Sequence, residues 1–259
     1  MIQAVLRRLE LFAGLSDQER EALSSLLSRR VRRIGPRHDI VIEGQPARNV
    51  IFLLSGWACR YKHLHDGRRQ TMAYLLPGDA CDLAVFGLPV LDHSLATIGS
   101  ARIAEVPARQ MQDLLDRHPR LARGFAWARV VAEAIGREWL VNLGQRSAAE
   151  KLAHLLCELS LRATSVGLCV DGRCPLPLTQ IDLASTTGMS IVHVNRTLQD
   201  LRGRGLVSIE GRQLRILAPA RLRDMAQFDD TYLHLGRPRR RPGLESASGP
   251  ARQATAAAF

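Results

Sequence analysis

Apolar positions fall into three textures along the chain. In the first thirty residues they recur at helical spacing. Ser16-Asp17-Gln18-Glu19 has the form of a capping box, and Leu23, Leu26 and Leu27 follow it. From about residue 32 to 106 the pattern shortens into β-rich runs punctuated by Gly35, Gly44, Gly56, Gly67, Gly78 and Gly87. Evenly spaced short strands predict a closed or rolled β-structure. Within it, His65-Asp66-Gly67-Arg68 predicts a hairpin, because Asp-Gly supplies the positive φ angles of a type I′ turn.

From Ala108 the helical period returns. Leu121, Phe125, Ala128, Ala132, Ile135, Trp139 and Asn142 alternate in steps of four and three, the a/d spacing of a coiled-coil seam. Over only about three heptads the same spacing also fits a helix buried within one subunit. A second helix is predicted over about 147–162, then a loop rich in Gly, Cys and Pro (166–177). A compact helical segment (179–206), two short strands (206–210 and 213–217) and a last helix to about Phe228 follow. From Gly236 the chain holds five Arg, one Glu and three Pro among small residues, a disordered basic tail that cannot build a core.

These textures divide the 259 residues into a β-roll with N-terminal helices (1–108), a helical dimerisation segment (109–146), a helix-rich domain (147–228) and a basic tail (229–259). The chain is 46% apolar and 24% charged, which suits a globular protein. Its net charge of +11 favours a polyanionic partner. The longest apolar stretch, Val50 to Cys59, falls well short of the ~20 residues a membrane-crossing helix needs, and Arg7, Arg8 and Glu10 interrupt any apolar leader. The expected compartment is therefore the cytoplasm. There the five Cys are free thiols by default, Cys169 and Cys174 remaining a redox candidate across a predicted turn. His63 and His65 share a strand face and His93 could lie nearby, but without ligand spacing they are expected to be solvated, so no metal site is assigned. No P-loop, G-x-S-x-G or H-E-x-x-H motif points to an enzyme.

The segment from Gln180 to Val207, QIDLASTTGMSIVHVNRTLQDLRGRGLV, has the parts of a helix-turn-helix. Ala184 is the small residue where two helices cross, and Gly188 suits the turn. Leu183, Met189, Val194 and Leu198 supply the packing. Ser190 is placed to cap the second helix, whose N-terminal end then presents Ile191, Val192, His193, Asn195 and Arg196 for base edges. Thr179, Gln180 and Ser190 suit DNA phosphate, as do Arg202 and Arg204 at the helix end. Residues 206–217 read as a wing with Arg212 at its tip.

With VHVNRTLQDLRGRGLV, the C-terminal third closely resembles the cyclic-AMP receptor protein/fumarate–nitrate reductase regulator (Crp/Fnr) family of bacterial transcription factors. Glu43-Gly44, Leu54-Ser55-Gly56 and Leu76-Pro77-Gly78-Asp79 resemble the signature of that family's roll, and the resemblance covers about residues 11–228. It implies an α+β fold: an N-terminal cyclic-nucleotide-binding-like β-roll (jelly roll), a long dimerisation helix and a C-terminal winged helix-turn-helix. It further implies a homodimer on double-stranded DNA, recognition helices in successive major grooves of a palindromic operator, and RNA polymerase as a partner.

The chain departs from the nucleotide-binding members. After Gly78-Asp79 it reads Ala80-Cys81-Asp82 with no Gly-Glu, His93-Ser94 stands where those members have Arg-Ser, and Gly136-Arg137 where they have Thr-Ser. His is mostly neutral at pH 7 and Asp82 repels phosphate, so cyclic AMP is not the expected effector. No Cys precedes Cys59, which argues against an N-terminal iron–sulfur cluster. The cofactor is left unknown, and none is required. Val192 stands where many members carry Glu, so the operator is expected to differ from the common half-site. The competing reading is a cyclic-nucleotide- or redox-responsive sensor that acts mainly through protein contacts.

Overall fold

The computed structural model describes residues 2–82, 87 and 89–235, without the side chain of Asp82. Two helices open it, α1 (Gln3–Glu10) and α2 (Asp17–Ser28). The expected capping box starts α2: Ser16 Oγ accepts from the Glu19 amide while the Glu19 carboxylate accepts from the Ser16 amide. Eight strands follow: β1 (Val31–Ile34), β2 (Asp39–Val41), β3 (Asn49–Ser55), β4 (Ala58–His63), β5 (Arg69–Leu75), β6 (Ala80–Asp82), β7 (Ser94–Thr97) and β8 (Ala101–Pro107). They form two four-stranded antiparallel sheets, ordered β1-β8-β3-β6 and β2-β7-β4-β5. Ile51, Leu53, Leu75, Leu95 and Ile103 fill the space between them, as alternating inward side chains of a jelly roll do.

The β4–β5 hairpin forms, but not on the expected turn. Only Gly67 has a positive φ, Leu64 and Arg68 pair through the Leu64 amide, and the loop has the form of a type I turn closed by a left-handed glycine. Asp66 keeps a negative φ because its carboxylate accepts from the Arg68 amide and guanidinium. A second Asp-Gly, within the segment predicted as irregular loop, makes the type I′ turn instead. Asp171 and Gly172 have φ of 50° and 72°, and Val170 and Arg173 exchange both backbone hydrogen bonds.

Helix α3 (Ala108–Arg117) leads into α4 (Pro119–Gln145), which Pro119 opens at its first turn. Leu121, Phe125, Ile135, Trp139 and Asn142 of the predicted seam are buried inside this one chain, so that stripe is the buried-helix alternative. Phe52 and Phe125 meet edge to face, and Tyr74 meets Trp139 likewise, which fixes α4 against both sheets of the roll. A second capping box, Ser147 with Glu150, starts α5 (Ala148–Ser165).

The C-terminal domain comprises α5, β9 (Arg173–Pro175), α6 (Gln180–Thr187), α7 (Ile191–Gly203), β10 (Val207–Glu210), β11 (Gln213–Ile216) and α8 (Pro219–Ala226). The wing is a three-stranded sheet, β10-β11-β9, one strand more than expected. Residues 229–235, assigned in sequence to the tail, fold back instead. Tyr232 stacks on His154 and donates to Glu158, and Leu233 is buried. The basic tail proper, 236–259, lies outside the described residues. No helix among the described residues is long and apolar enough to cross a membrane.

Candidate nucleic-acid interface and effector cavity

Thr179 caps α6 and makes a capping box with Asp182. Gly188 ends α6 at φ 67°, the left-handed conformation the turn requires, and Ser190 caps α7 by accepting from the His193 amide. Val194, Leu198 and Leu201 bury one face of α7. The opposite face is open: Ile191, Val192 and Arg196 are exposed, Val192 at 79%, and His193 and Asn195 are half-buried. The Asn195 amide donates to Gln180 Oε1, so these two candidate DNA residues brace each other.

The outlying candidates divide. Gly211 and Arg212 both have positive φ and make a two-residue type I′ turn, which puts Arg212 at the tip of the wing as expected. Arg196 and Arg212 have no carboxylate partner among the described residues. Arg202 instead donates to the Ile209 carbonyl and ties α7 to the wing, and Arg204 pairs with Asp200 one turn back. Thr179 Oγ1 is already engaged with the Asp182 carboxylate, which leaves Gln180 and the Ser190 turn as the freer polar groups.

A cavity of about 450 Å³ lies between the roll and α4, within the size range of small-molecule sites. Gly78, Asp79 and His93 line it as expected, together with Tyr74, Phe125 and Arg60. Ser94 does not: it is buried, and its hydroxyl accepts from the Glu43 amide. Gly136 and Arg137 do not line it either, because they sit on the exposed side of α4. The Asp82 side chain lies outside the described residues.

Sequence reasoning missed the charges that surround this cavity. Strand β4 delivers Arg60, whose Nε donates to His93 Nε2 at 3.0 Å while Nη2 donates to the Cys81 carbonyl. Asp92 binds His93 Nδ1, and that bond holds the Asp92 carboxyl below the usual range. At the base of the cavity Asp79 pairs with both Arg8 and Arg162. Arg162 also donates to the Tyr74 carbonyl and to Glu158, whose carboxylate accepts from Trp139 and Tyr232 as well. Six side chains from five parts of the chain thus interlock around the Asp79 and Glu158 carboxylates, with the Arg162 Nε left without a hydrogen bond. No sequence pattern announces this.

The C-terminal domain rests on the roll through α6. Arg37 clasps Asp182 with both nitrogens, at 2.5 and 2.7 Å. Tyr74, a cavity wall residue, bonds Thr186 Oγ1 at 2.6 Å and donates to the Asp182 carbonyl. Thr71 meets Ser185, and Gln70 donates to the Thr186 carbonyl. Strand β5 therefore faces the cavity on one side and the first helix of the helix-turn-helix on the other.

Cys169 and Cys174 are joined in a disulfide, contrary to the free-thiol expectation. Compartment was the wrong guide, because local geometry decides. The type I′ turn makes Val170 and Arg173 a hydrogen-bonded pair, so the next residues out face each other directly, with Cα atoms 4.3 Å apart. The motif Cys-x-Asp-Gly-x-Cys was the signal. His63, His65 and His93 do not converge, and no group of three metal-ligating side chains is found among the described residues.

Two family models match: a cyclic nucleotide-binding domain over residues 31–118 and a Crp-like helix-turn-helix domain over 150–225. The chain is 30% identical to the nitrogen fixation regulation protein FixK of Bradyrhizobium diazoefficiens over 174 residues, 67% of this chain and 72% of that one. It is 28% identical to the transcriptional activatory protein AadR of Rhodopseudomonas palustris, over 75% of this chain and 80% of the relative. The solved structure of FixK2 from Bradyrhizobium japonicum superposes with a TM-score of 0.68 at 25% identity, covering 75% of this chain and 96% of the other. Fold, helix-turn-helix and relatives agree, and the chain belongs to the Crp/Fnr family of DNA-binding transcription regulators.

Proposed function

We propose that the protein acts as a homodimer on a two-fold palindromic operator, with α7 in the major groove and the wing on the flanking backbone. The observation that carries this is the face of α7: Ile191, Val192 and Arg196 stand exposed at its capped N-terminal end. Arg196 reads guanine, His193 and Asn195 add polar base contacts, and Ile191 and Val192 meet thymine methyl groups. Arg212, Gln180 and the Ser190 turn hold phosphate. The expected compartment is the cytoplasm and the expected downstream partner is RNA polymerase.

The dimer face is the side of α4 turned away from its own chain. Val130, Leu140 and Val141 are exposed there, Leu140 at 71%, and Gly136 and Gly144 let a second helix approach. Leu140→Glu is expected to give a monomer by sedimentation. An unchanged dimer would place the interface elsewhere.

The cavity holds a small effector other than cyclic AMP. Asp92 and Glu133 share it with the cations, and Arg60 is committed to His93 and Cys81. An excess of cyclic AMP or cyclic GMP is therefore expected to leave the melting temperature unchanged. At 100 times the dissociation constant a true ligand adds ~2.7 kcal/mol, several degrees for a protein of this size. Operator selection from a randomised duplex pool tests the DNA reading. A palindrome with half-sites one helical turn apart supports it, and no enriched sequence overturns it.

A further inference from the structure

We propose that Cys169 and Cys174 form a reversible thiol–disulfide exchange site that sets the position of the wing and so the affinity for DNA; the inference rests on the DNA-binding reading above. The pair is built into a hairpin. The type I′ turn at Asp171-Gly172 fixes the register, and Cys169 faces Cys174 across it whatever the oxidation state of the sulfurs. Reduced thiols are thus held within bonding reach.

The strand that carries Cys174 is the outer strand of the wing. In β9, Arg173, Cys174 and Pro175 pair with Arg215, Leu214 and Gln213 of β11, and the Leu176 amide donates to the carbonyl of Arg212 at the wing tip. The sulfurs also join this sheet to the end of α5. Thr164 Oγ1 donates to Cys169 Sγ, and Ser160 Oγ lies 3.4 Å from Cys174 Sγ. Breaking the bond leaves the hairpin held by the Val170–Arg173 hydrogen bonds alone and loosens the support under Arg212.

The two sulfurs have distinct roles. Cys174 is buried and Cys169 is partly exposed. A dithiol reductant therefore attacks Cys169. Its thiolate forms a mixed disulfide with Cys169 Sγ, and the electron pair of the broken bond goes to Cys174 Sγ, which takes up a proton. The reductant's second thiol then attacks its own sulfur in the mixed disulfide, releases Cys169, and leaves as a disulfide. Two electrons and two protons pass to the protein, and an oxidising disulfide runs the sequence backwards. Cys59, Cys81 and Cys157 are buried, and burial pushes the Cys59 and Cys157 thiols up to about 11 and about 12, so they stay out of the exchange.

The experiment starts from the full chain oxidised with a mild disulfide and a duplex enriched by it from a random pool. Alkylation and mass spectrometry on dithiothreitol treatment should report two new thiols, at Cys169 and Cys174. Amide exchange should rise at residues 170–176. Affinity for the duplex should fall roughly five- to tenfold, the scale of losing one or two phosphate contacts, and return on reoxidation. The Cys169→Ser/Cys174→Ser variant should bind like the reduced protein and ignore both reagents. Equal affinity of the oxidised and reduced wild type overturns the inference and leaves the DNA reading intact. Failure of the pair to reoxidise also overturns it. A pool that yields no enriched duplex overturns the DNA reading itself, and the inference with it.

Discussion

At the C-terminal end Arg196 and Arg212 stand in solvent with no carboxylate partner among the described residues, whereas under the cavity Arg8, Asp79, Arg162 and Glu158 form one continuous buried chain of charge. The first arrangement leaves cations available to a partner that brings the counter-charge, as a phosphate backbone does. The second has already spent its cations on internal carboxylates, and it holds α1, the roll and α5 together. The contrast is one of pairing and not of net charge, since Lys and Arg outnumber Asp and Glu by 21 to 15 over residues 1–146 and by only 10 to 9 over residues 147–235.

Removing the centre of the buried chain is the strongest test of that contrast. Arg162→Met leaves Asp79 with only Arg8 and Glu158 without its cation, both out of water. Breaking a buried pair from one side costs about 3–5 kcal/mol, so denaturant unfolding should show a loss on that scale. A loss under 1 kcal/mol would mean that the network contributes little and that the cavity floor is held by packing alone.

The contrast also explains what could be read from the sequence. The Ser16 capping box, the Gly188 turn and the exposed side of α7 are local, set by residues within one or two turns, and were legible, whereas the Ser147 and Thr179 boxes were not read. The cavity was legible only in its loop, Gly78-Asp79, and in His93. Arg60, Arg8 and Arg162 reach it from distant strands and helices, and no spacing announces contacts across such separations. Ser94, Gly136 and Arg137 failed for the same reason: a position matched to the family pattern does not say which way this chain's backbone turns it. The two Asp-Gly dipeptides show the limit within a single turn. At 66–67 the Asp side chain bonds forward and keeps its backbone in the ordinary region, while at 171–172 the flanking pair closes a type I′ turn.

At the DNA end, Arg196→Ala should cost ~1–3 kcal/mol of specific binding and leave non-specific binding nearly unchanged, since base contacts specify and phosphate contacts do not. A titration of selected against random duplex measures it. Loss of both in parallel would reassign Arg196 to the backbone. Leu140→Glu adds an independent check, because a monomer should lose the palindrome's second half-site even with α7 intact.

Beside the buried chain, His154 of α5 carries its own pH dependence. Its ring is buried against Phe228 and Tyr232, and burial, with Arg146 nearby, lowers its pKa to about 4. Glu138 lies 3.2 Å from Nε2 and pulls the other way without overcoming the burial. The unfolded chain takes up this proton near the ordinary value of 6.5 and the folded chain does not. Stability is therefore full above pH 6.5 and falls as pH drops towards 4. In His154→Phe this part of the slope should disappear from unfolding measured across that window. An unchanged slope would trace it to other groups.

The smallest effect is expected where the two kinds of charge meet, at Arg37 and Asp182. Asp182 is nearly buried, but Arg37 is 42% exposed, so the pair is screened from one side. Arg37→Ala should cost only about 1 kcal/mol, because Thr179 continues to bond the Asp182 carboxylate. The sign of its pH dependence follows from the direction of the shift. The Arg37 and Thr179 bonds hold the Asp182 carboxyl below its ordinary value of 3.8 despite burial. The stabilisation is thus present above that value and lost as pH falls through the lower, folded one. Arg37→Ala should reduce this acid-side loss, and because α6 would be held to the roll only by Tyr74, Thr71 and Gln70, amide exchange in α6 should rise while α7 stays protected by its own packing. Exchange that rises equally in both helices would show that the domain opens as one unit and that the ion pair does not clasp α6 in particular.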